Sequence, residues 1–396
     1  MSSLGAGAKL HWDLLTREAR RRRANCTRFA PYTVYELAEI PFESQIPKKA
    51  DLRQMGRWQQ IGVYAAGLAL EDARLKDDAN RLAATDLIVA AGNGERDEAA
   101  DASVLAAMKA SPADRAVLMQ ALQTSLRPTL YLAELSNLLA GNISIVHGVT
   151  KSSRTFKGEE QAGLAAFQDA VDRISSGSSH IALVGAACNA ERSDLHLSLE
   201  LCGCLWHGNE TPIGRRSTAG GGIVLGSIGS FVVLEEADHA RSRQVRPYAR
   251  VTAVVSARMH LAAQLADDAA PSELCPLQNL IDELSSSPAD VLSGASGVQS
   301  AMEREMAFIH PLMQRNFLQK IRYYGDALGH GMEAHFPTGI ALAALSLSNR
   351  FFYPAFDGDN ISHRLEPARS NRILVTGFGS WRGAGVALLE QIEVTT

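Results

Sequence analysis

Short, nearly continuous apolar runs recur along the chain, and these are the segments that we predict to be β-strands. They are rich in Val and Ile, a pattern typical of strands that are covered on both faces in a layered α/β fold. The predicted strands are Asp86–Gly92, His180–Ala186, Gly229–Leu234, Arg250–Ser256, Asp290–Gly294 and Arg372–Gly377.

Other stretches place apolar residues at the spacing of an α-helix. We predict helices over Met55–Asp72, Gly163–Ile174 and Gly339–Leu347, of which the last two are rich in small residues that let helices approach closely. No proline lies within these three ranges, so none of the helices requires a kink. Strand, helix and strand follow one another in Asp86–Leu234 and again in Arg250–Glu393, which indicates a weak internal duplication.

The composition narrows the class of protein. The 396 residues are 46% hydrophobic and 21% charged, as in globular domains, which excludes an intrinsically disordered chain. The formal net charge of −4 argues against a nucleic-acid-binding protein, which is usually basic. No apolar run approaches the roughly 18–20 residues that span a bilayer. The first residues, MSSLGAGAKLHWDLL, lack the pattern of a signal peptide, so we expect a cytoplasmic protein without a membrane span.

Two groups of chemically active side chains also have structural explanations. Cys202 and Cys204 lie near His207, but no second pair follows at the spacing of a zinc site, so we interpret them as small packing residues. We predict no metal site and no cofactor, and five scattered cysteines do not indicate a disulfide framework. The run Arg20–Arg23 is either a solvated face or a docking site for an acidic protein or phosphate.

Several stretches, in colinear order over essentially the whole chain, resemble the elongating β-ketoacyl-(acyl carrier protein) synthases. They are Arg57–Leu75 (RWQQIGVYAAGLALEDARL), Ser136–Gly148 (SNLLAGNISIVHG), Ala170–Ala186, Val233–Arg243 (VLEEADHARSR), Gly329–Ala334 and the Gly-Phe-Gly loop Gly377–Gly379. The resemblance implies an α/β protein with the thiolase fold, which has five layers, αβαβα, and two similar halves. We assign residues 1–245 and 246–396 to these halves. Met1 falls where the family has completed its first strand, and we expect a start further upstream rather than a gap in a core sheet.

The resemblance also implies the chemistry of condensation. In the family, a Cys nucleophile at a helix N-terminus carries the acyl chain, because the helix dipole lowers the pKa of its thiol. Two histidines, one of them supported by a lysine, promote decarboxylation of the malonyl thioester and stabilise the enolate oxygen. The Gly-Phe-Gly loop contributes to the oxyanion hole, so Gly377, Phe378 and Gly379 are candidate substrate-binding residues. Phe378 either gates the pocket, as in the family, or is a core aromatic residue.

Three of the four catalytic positions of this family hold other residues here. An ungapped comparison of the stretch GVTKSSRTFKGEEQAG places Glu160 at the Cys position, and a shift of one residue places Gln161 there. Ser296 stands at the first histidine and Gly325 at the lysine, whereas the second histidine is retained as His330. A carboxylate is a poor acyl acceptor, because the resulting anhydride is more reactive than the thioester. We therefore do not expect this chain to condense acyl chains on its own.

The segment EEQAG, residues 159–163, resembles the chain-length-factor subunits of type II polyketide synthases. Those subunits pair with an active synthase as a heterodimer and shape its product tunnel. The resemblance implies an active ketosynthase and an acyl carrier protein as partners, in polyketide, aryl-polyene-like or specialised fatty acid biosynthesis. Gln at this position also occurs in decarboxylating synthase domains. Glu160 and the retained His330 depart from the chain-length-factor pattern, so the alternative is a malonyl decarboxylase or divergent synthase that uses both. A purely structural homodimer is the third interpretation.

Further expectations concern the surroundings of the site. His330 is either catalytic or a structural, hydrogen-bonding histidine, and His335 and Glu333 are candidates for a small polar cluster beside it. Synthases of this family pair through an edge strand that follows the nucleophile helix, so the resemblance implies an interface near His180–Ala186, with Ala187–Asn189 at the seam. An unpaired apolar edge is prone to aggregation, so we expect an obligate dimer.

Overall fold

The apolar runs form two separate β-sheets in the computed structural model of this chain, which describes residues 1–16, 24–126, 132–257, 271–352, 366–367 and 370–392. The first sheet contains the strands β1 (Asp86–Ala91), β2 (Ser152–Lys157), β3 (Ile181–Cys188) and β4 (Ile228–Glu235). The second sheet contains β5 (Arg250–Ala257), β6 (Ala289–Ser293), β7 (Leu318–Tyr323), β8 (Arg372–Phe378) and β9 (Ala384–Glu390).

The two sheets share the order and direction of four strands. The order is β2-β1-β3-β4 in the first sheet and β7-β6-β8-β9-β5 in the second. In both sheets the first three strands run parallel, and the fourth runs antiparallel to the third. β5 pairs antiparallel with β9 and has no counterpart in the first sheet among the described residues. The boundary between residues 245 and 246 falls in the connection from β4 to β5 and stays a prediction.

The helices that contact these sheets are α1 (Arg57–Asp72), α2 (Leu138–His147), α3 (Glu160–Ser175), α4 (Pro271–Ser286), α5 (Gln299–Gln314) and α6 (His335–Asn349). α3 and α6 lie between the two sheets and contact both of them. α1 and α2 cover the outer face of the first sheet, and α4 and α5 cover that of the second. The expected thiolase fold, with five αβαβα layers and two similar halves, is thereby confirmed.

Shorter elements connect these layers. The other α-helices in the described ranges are Ala8–Thr16, Lys49–Gln54, Ala79–Ala83, Glu98–Ala110, Arg115–Ser125, Ser193–Leu201, Ile213–Arg216, Ala237–Ser242 and Gly325–Leu328, and the 3₁₀ turns are Phe42–Ser44, Ser217–Ala219 and Met332–Ala334. Two-residue strands pair Val34–Tyr35 with Leu225–Gly226 and Phe351–Phe352 with Glu366–Pro367. Within the same ranges, every helix is too short or too polar to cross a membrane.

All six predicted strands and all three predicted helices are present, with ends that differ by a few residues. α3 begins at Glu160 and α6 at His335, in both cases earlier in the sequence than predicted. The first residue of each helix is buried. α6 therefore contains Pro337, which lies in the first turn, where its missing N–H has no helical partner to lose. The pattern analysis missed β2, β7 and β9. β2 and β7 are edge strands whose side chains are mostly only partly buried, so they lack a continuous apolar run.

The prediction that His180–Ala186 forms the dimer edge is wrong. This segment belongs to β3, which pairs with β1 on one side and with β4 on the other and is buried along its whole length. The expected seam, Ala187–Asn189, is buried as well. A continuous apolar pattern is that of a central strand rather than an edge. The edges of the first sheet are β4 and β2, and β2 carries the polar sequence SSRTFK directly before α3.

Candidate functional site

Glu160 is the first residue of α3 and is only 8% exposed, in the interior between the two sheets. Its Oε1 atom accepts hydrogen bonds from the Ser380 hydroxyl at 2.8 Å and from the Ser380 backbone N–H at 3.3 Å. Burial raises the pKa of Glu160, and the hydrogen bonds from its own backbone N–H and from Ser380 offset this rise only in part. The carboxyl group therefore holds its proton more firmly than an exposed Glu does.

Ser380 links Glu160 to the second predicted residue, Ser296. The two serine hydroxyl oxygens are 3.4 Å apart, and Ser296 is 1% exposed. The Ser296 hydroxyl also accepts a hydrogen bond from the Val298 backbone N–H at 3.2 Å, which fixes its position. Two residues that are far apart in the sequence and were predicted separately thus lie in one buried network. Sequence analysis missed Ser380, although it directly follows the Gly-Phe-Gly loop that was singled out.

The loop after β8 covers the start of α3. The Gly379 N–H donates to the Gly383 carbonyl at 3.0 Å and closes the loop, and Gly383 has a left-handed backbone with a φ of +75°. The side chain of Gln161 occupies the space that a Cβ atom at Gly383 would need. Both candidates for the Cys position contact this loop: Glu160 bonds to Ser380, and Gln161 packs against Gly383.

Two buried histidines stack in the same interior. His330 and His335 are each 2% exposed, and their ring centroids are 4.0 Å apart. The Met332 backbone N–H donates to Nδ1 of His330, and the Gly331 backbone N–H donates to Nδ1 of His335, each at 3.3 Å. These bonds assign the proton of each neutral ring to Nε2. Neither Nε2 atom has a hydrogen-bond partner among the described residues.

The charge state of both imidazoles follows from their surroundings. Burial, together with the nearby Arg216 guanidinium, lowers the pKa of His330 to about 3. Burial likewise holds the pKa of His335 well below its usual value, with His330 adding to the effect. At neutral pH both rings are therefore uncharged, and each presents an Nε2–H donor. Sequence analysis retained only His330 as a member of the catalytic set.

Arg216 is a buried cation that the sequence analysis did not identify. It is 3% exposed, and one of its terminal nitrogens donates to the Gly222 carbonyl at 3.0 Å. Burial lowers the pKa of Arg216, and its Nε atom has no partner in the described part of the chain. A Cβ atom at Gly297 would lie 3.4 Å from the guanidinium carbon, so this cation borders the Ser296–Gly297 turn.

Gly325, which the resemblance places at the position of the family's lysine, opens a short helix beside His335. A Cβ atom there would lie 3.0 Å from a methyl group of Ile213 and 3.5 Å from the His335 ring. The Glu333 carboxyl group, which was expected beside His335, lies against Gly92 instead. Burial raises the pKa of Glu333 to about 8, and the charge of Glu160 adds to the rise. The polar cluster therefore consists of the two histidines, and the Glu333 carboxyl group lies beside Gly92 rather than beside them.

The remaining predicted residues lie outside this cluster. Phe378 is 2% exposed and packs against Phe308 at a ring distance of 6.1 Å, in the core of the second half. Phe336 fills the space beside Gly377. The roles of Phe378 and Gly377 in substrate binding stay predictions. Arg20–Arg23 lies outside the described residues.

The Cys-x-Cys motif is split between surface and interior. Cys202 is exposed, whereas Cys204 is buried, and burial together with nearby negative charge, including that of Glu160, raises the pKa of Cys204. His207 bonds to Glu200 at 2.8 Å rather than to either sulfur. The described residues contain no group of three His, Cys, Asp or Glu side chains that could hold a metal ion. The raised pKa of Cys204 means that its thiol is not activated as a thiolate.

The cluster has a restricted chemistry. It offers two neutral imidazole donors and a buried guanidinium, which could stabilise negative charge on a substrate oxygen. The Ser380 hydroxyl lies within hydrogen-bond distance of both Glu160 and the Ser296 hydroxyl, and within the described ranges neither serine bonds to an imidazole that could activate it. The first turn of α3 reads EQAG and holds no thiol. The geometry thus supplies charge stabilisation without an activated nucleophile.

A family model described as "Beta-ketoacyl synthase, N-terminal domain" matches residues 11–240. None of the curated proteins matches the sequence. Solved structures share the fold at low sequence identity. One, a ketosynthase/chain length factor for ishigamide, has 19% identity and a TM-score of 0.75, covering 99% of this chain and 97% of that one.

Two further structures are similar. A β-ketoacyl synthase from Burkholderia phymatum STM815 has 16% identity and a TM-score of 0.73, with 99% of this chain and 97% of that chain covered. A type II polyketide synthase acyl-carrier protein in complex with its ketosynthase, bound to the hexaketide, has 16% identity and a TM-score of 0.67, with 99% and 96% covered.

Proposed function

This chain belongs to the β-ketoacyl synthase family, and we propose that it is a member that does not condense acyl chains by itself. We propose that it acts as a chain-length factor, or a similar partner subunit of an active ketosynthase, on acyl chains bound to an acyl carrier protein. The observation that carries this proposal is Glu160, a buried carboxyl group at the start of α3. The family resemblance places the Cys nucleophile at this position.

A carboxyl group is unsuited to the first step of condensation. Transfer of an acyl chain from a thioester to a carboxylate would form an anhydride, which is more reactive than the thioester, so the equilibrium opposes transfer. Burial also raises the pKa of Glu160, which reduces the fraction present as the nucleophilic carboxylate. Both effects favour a subunit that receives no acyl group.

The second step of condensation lacks two of its groups as well. Ser296 replaces an imidazole, and Gly325 offers no side chain where the family has a lysine. Removing one group that stabilises developing negative charge costs about 10²–10³ in rate. The combined loss supports a pocket that shapes a tunnel rather than one that catalyses carbon–carbon bond formation.

A partner subunit is supported by two of the similar structures. One is of a ketosynthase/chain length factor, and the other contains a ketosynthase with its acyl-carrier protein. We infer that this chain likewise assembles with an intact ketosynthase, in polyketide, polyene or specialised fatty acid biosynthesis. β2 is an edge of the first sheet, and no described strand pairs with its outer side, so we propose the subunit interface there.

Acyl transfer to the first turn of α3 tests the proposal. The purified chain is incubated with an acyl-loaded carrier protein, and the segment Thr155–Gly163 is analysed by mass spectrometry. We expect no acyl group on the wild type. Glu160→Cys should place a thiol at the helix N-terminus, where its pKa is lowered. This variant should therefore react faster with iodoacetamide at about pH 7 than the matched control Gln161→Cys.

An acyl group on any wild-type residue of that segment would contradict the proposal. Assembly provides the second readout. Co-expression with the cognate intact ketosynthase should yield a one-to-one complex by sedimentation and native mass spectrometry. A chain that stays monomeric, or that pairs only with itself when the ketosynthase is present, would contradict the partner role.

One observation favours a second function, the decarboxylation of malonyl groups. The unpartnered Nε2–H donors of His330 and His335 could stabilise the enolate oxygen that forms as carbon dioxide leaves. The test is carbon dioxide release from malonyl carrier protein by the chain without its partner. We expect none above background, because Ser296 and Gly325 remove the rest of the site. Release that falls by about 10²–10³ in His330→Ala would instead establish the decarboxylase.

A further inference from the structure

Arg216 carries a buried positive charge to which no described carboxylate bonds. Its side chain is 3% exposed, and a terminal nitrogen donates to the Gly222 carbonyl at 3.0 Å. Asp326 and Tyr35 favour its charged form through space, but neither bonds to it. Its Nε atom has no partner in the described part of the chain. Because an unpaired buried charge is costly, this guanidinium points to a ligand of opposite charge.

His330 contributes a second unpartnered donor beside Arg216. Its backbone N–H donates to the Val224 carbonyl at 2.8 Å, and Val224 lies two residues from Gly222, which accepts from Arg216. The charge of Arg216 therefore acts on the His330 ring, whose Nε2 atom meets no acceptor in the described ranges. The Gly222 N–H donates to the Gly297 carbonyl at 2.8 Å, so the Gly297 turn borders the same place.

The charge of these two groups selects the chemical class of the ligand. A guanidinium and a neutral imidazole together carry one positive charge, which one carboxylate balances. A carboxylate also has an oxygen for each donor, and hydrogen bonds between ionised groups are the stronger ones. A neutral carbonyl group would leave the charge of Arg216 unpaired, and a phosphate dianion would bury an excess negative charge.

The place of this pair in the site indicates what carries the carboxylate. Ser296 directly precedes Gly297, and its hydroxyl lies 3.4 Å from that of Ser380, which donates to Glu160. The family resemblance places the acyl-bearing Cys at the position of Glu160. A ligand that reaches Arg216 past this network is therefore an acyl group with a charged far end.

We propose that Arg216 and His330 bind the free carboxylate at the far end of a short acyl group and hold that group unchanged. The proposal rests on the proposed non-condensing role, in which the site receives an acyl group without joining it to another. A guanidinium stabilises the ionised carboxylate in the ground state, so it opposes loss of that group as carbon dioxide.

Matched thioesters test the charge preference on the wild-type chain. Succinyl-pantetheine carries the carboxylate, butyryl-pantetheine has a methyl group in its place, and the succinamyl thioester has an uncharged amide of the same shape. We expect calorimetry to show that succinyl-pantetheine binds at least about tenfold more tightly than either of the others. Mass spectrometry should recover it intact.

Substitutions assign this preference to Arg216. Arg216→Gln keeps N–H donors but removes the charge, so it should weaken succinyl-pantetheine binding about tenfold and leave butyryl-pantetheine binding unchanged. Arg215→Gln, at the exposed neighbouring position, is the control and should change neither affinity. His330→Phe should weaken succinyl-pantetheine binding by a smaller factor, because it removes a neutral donor.

Equal affinities of the wild type for the three thioesters would overturn the proposal, and this comparison needs no variant that folds. A preference that survives in Arg216→Gln, or equally tight binding of inorganic phosphate, would overturn it as well. The proposed partner role is measured separately. A one-to-one complex with the ketosynthase but no carboxylate preference would refute only this proposal, whereas the preference in a chain that forms no such complex would refute only the partner role.

Discussion

The two halves of the molecule share a central helix at an equivalent place, but the buried first residues of these two helices differ in their chemistry. α3 and α6 occupy equivalent places, each between the two sheets and each following an edge strand, yet α3 begins with Glu160 and α6 with His335. Both side chains are buried. The Glu160 end meets Ser380 of the other half, whereas the His335 end stacks on His330. The symmetric scaffold therefore carries an asymmetric site, with an acid at one helix start and a base at the other.

The two sheets also share individual residues at equivalent positions of their strands. Asp86 and Asp290 are fully buried near the starts of the equivalent strands β1 and β6, and Glu235 and Glu390 end the equivalent strands β4 and β9. These matches indicate that both sheets impose the same local requirements. Among the described residues β5 has no counterpart in the first sheet, so the match covers four strands of each sheet.

Removing Asp86 should have the largest effect on stability. Its carboxylate accepts hydrogen bonds from the Arg173 and Lys151 side chains at 3.0 and 3.2 Å, and from the Ser152 hydroxyl at 2.6 Å. Asp86→Ala should lower the free energy of unfolding by about 3–5 kcal/mol in denaturant titrations, and Asp86→Asn by less. The equivalent Asp290→Ala should cost at least about 1 kcal/mol, and a neutral result there would break the equivalence of the two strands.

The next largest effect on stability should come from substitutions where an outer helix packs against the edge of each sheet. A Cβ atom at Gly229 would lie 2.8 Å from a methyl carbon and 3.0 Å from the backbone oxygen of Ile61 in α1. Gly229→Ala should therefore cost about 1–3 kcal/mol of unfolding free energy. Ala384 pairs with Phe378 at the end of β8 as Gly229 pairs with Ala187 near the end of β3, and Ala384 already carries a buried Cβ. Ala384→Gly should therefore cost only about 1 kcal/mol. If chemical denaturation shows equal losses of unfolding free energy for the two variants, the helix does not pack more closely in the first half.

Buried carboxyl groups should make stability depend on pH. Burial raises the pKa of Glu333 from 4.5 to about 8. Across this window the unfolded chain releases the proton and the folded chain keeps it, so stability should fall as pH rises, by up to about 1.4 kcal/mol per unit. Glu333→Gln should lose this slope in unfolding titrations. Burial also raises the pKa of Glu305 in the second half, so Glu305→Gln should change the slope in the same direction.

A slope unchanged in Glu333→Gln would show that this carboxyl group is ionised in the folded protein. The buried histidines act in the opposite sense. Burial lowers the pKa of His330 to about 3, so its contribution is lost as pH falls from about 6.5 toward that value. Subtracting the variant curve from that of the wild type separates the two effects.

The smallest expected effect concerns the link between the halves. Ser380→Ala removes the hydroxyl that donates to Glu160 at 2.8 Å, which should cost about 0.5–1.5 kcal/mol and raise the pKa of Glu160 further. Ser293→Ala is the matched change in the second half, since Ser293 donates to Glu305 at 2.7 Å. An NMR titration of the Glu carboxyl carbons measures both shifts. A pKa of Glu160 that does not move would contradict this hydrogen bond.

The sequence identified best those strands that are buried on both faces of a sheet. Central strands such as β3 and β8 are apolar on both faces, and their continuous Val- and Ile-rich runs identified them. β2 lies at an edge with polar residues on its open side, so no comparable run marks it. β9 is as apolar as the strands that were predicted, and only its pairing with β5 and β8 established its place. The assignment of β3 to the dimer edge came from the family resemblance, and the apolar pattern of β3 is instead that of a central strand.

The sequence alone determined which side chains the candidate site offers: a Glu and no Cys at the start of α3, and the Ser, Gly and His that the resemblance places at the other family positions. The tertiary structure decided which of these groups meet. Ser380 reaches Glu160 across 220 positions of sequence, and Gln161, the next residue of the helix, packs against Gly383 of the same loop. The stacking of His330 on His335 and the burial of Arg216 likewise follow from packing between distant segments. Apolar periodicity is a local property that a sequence displays directly, whereas a hydrogen bond between two halves depends on where the whole chain places them.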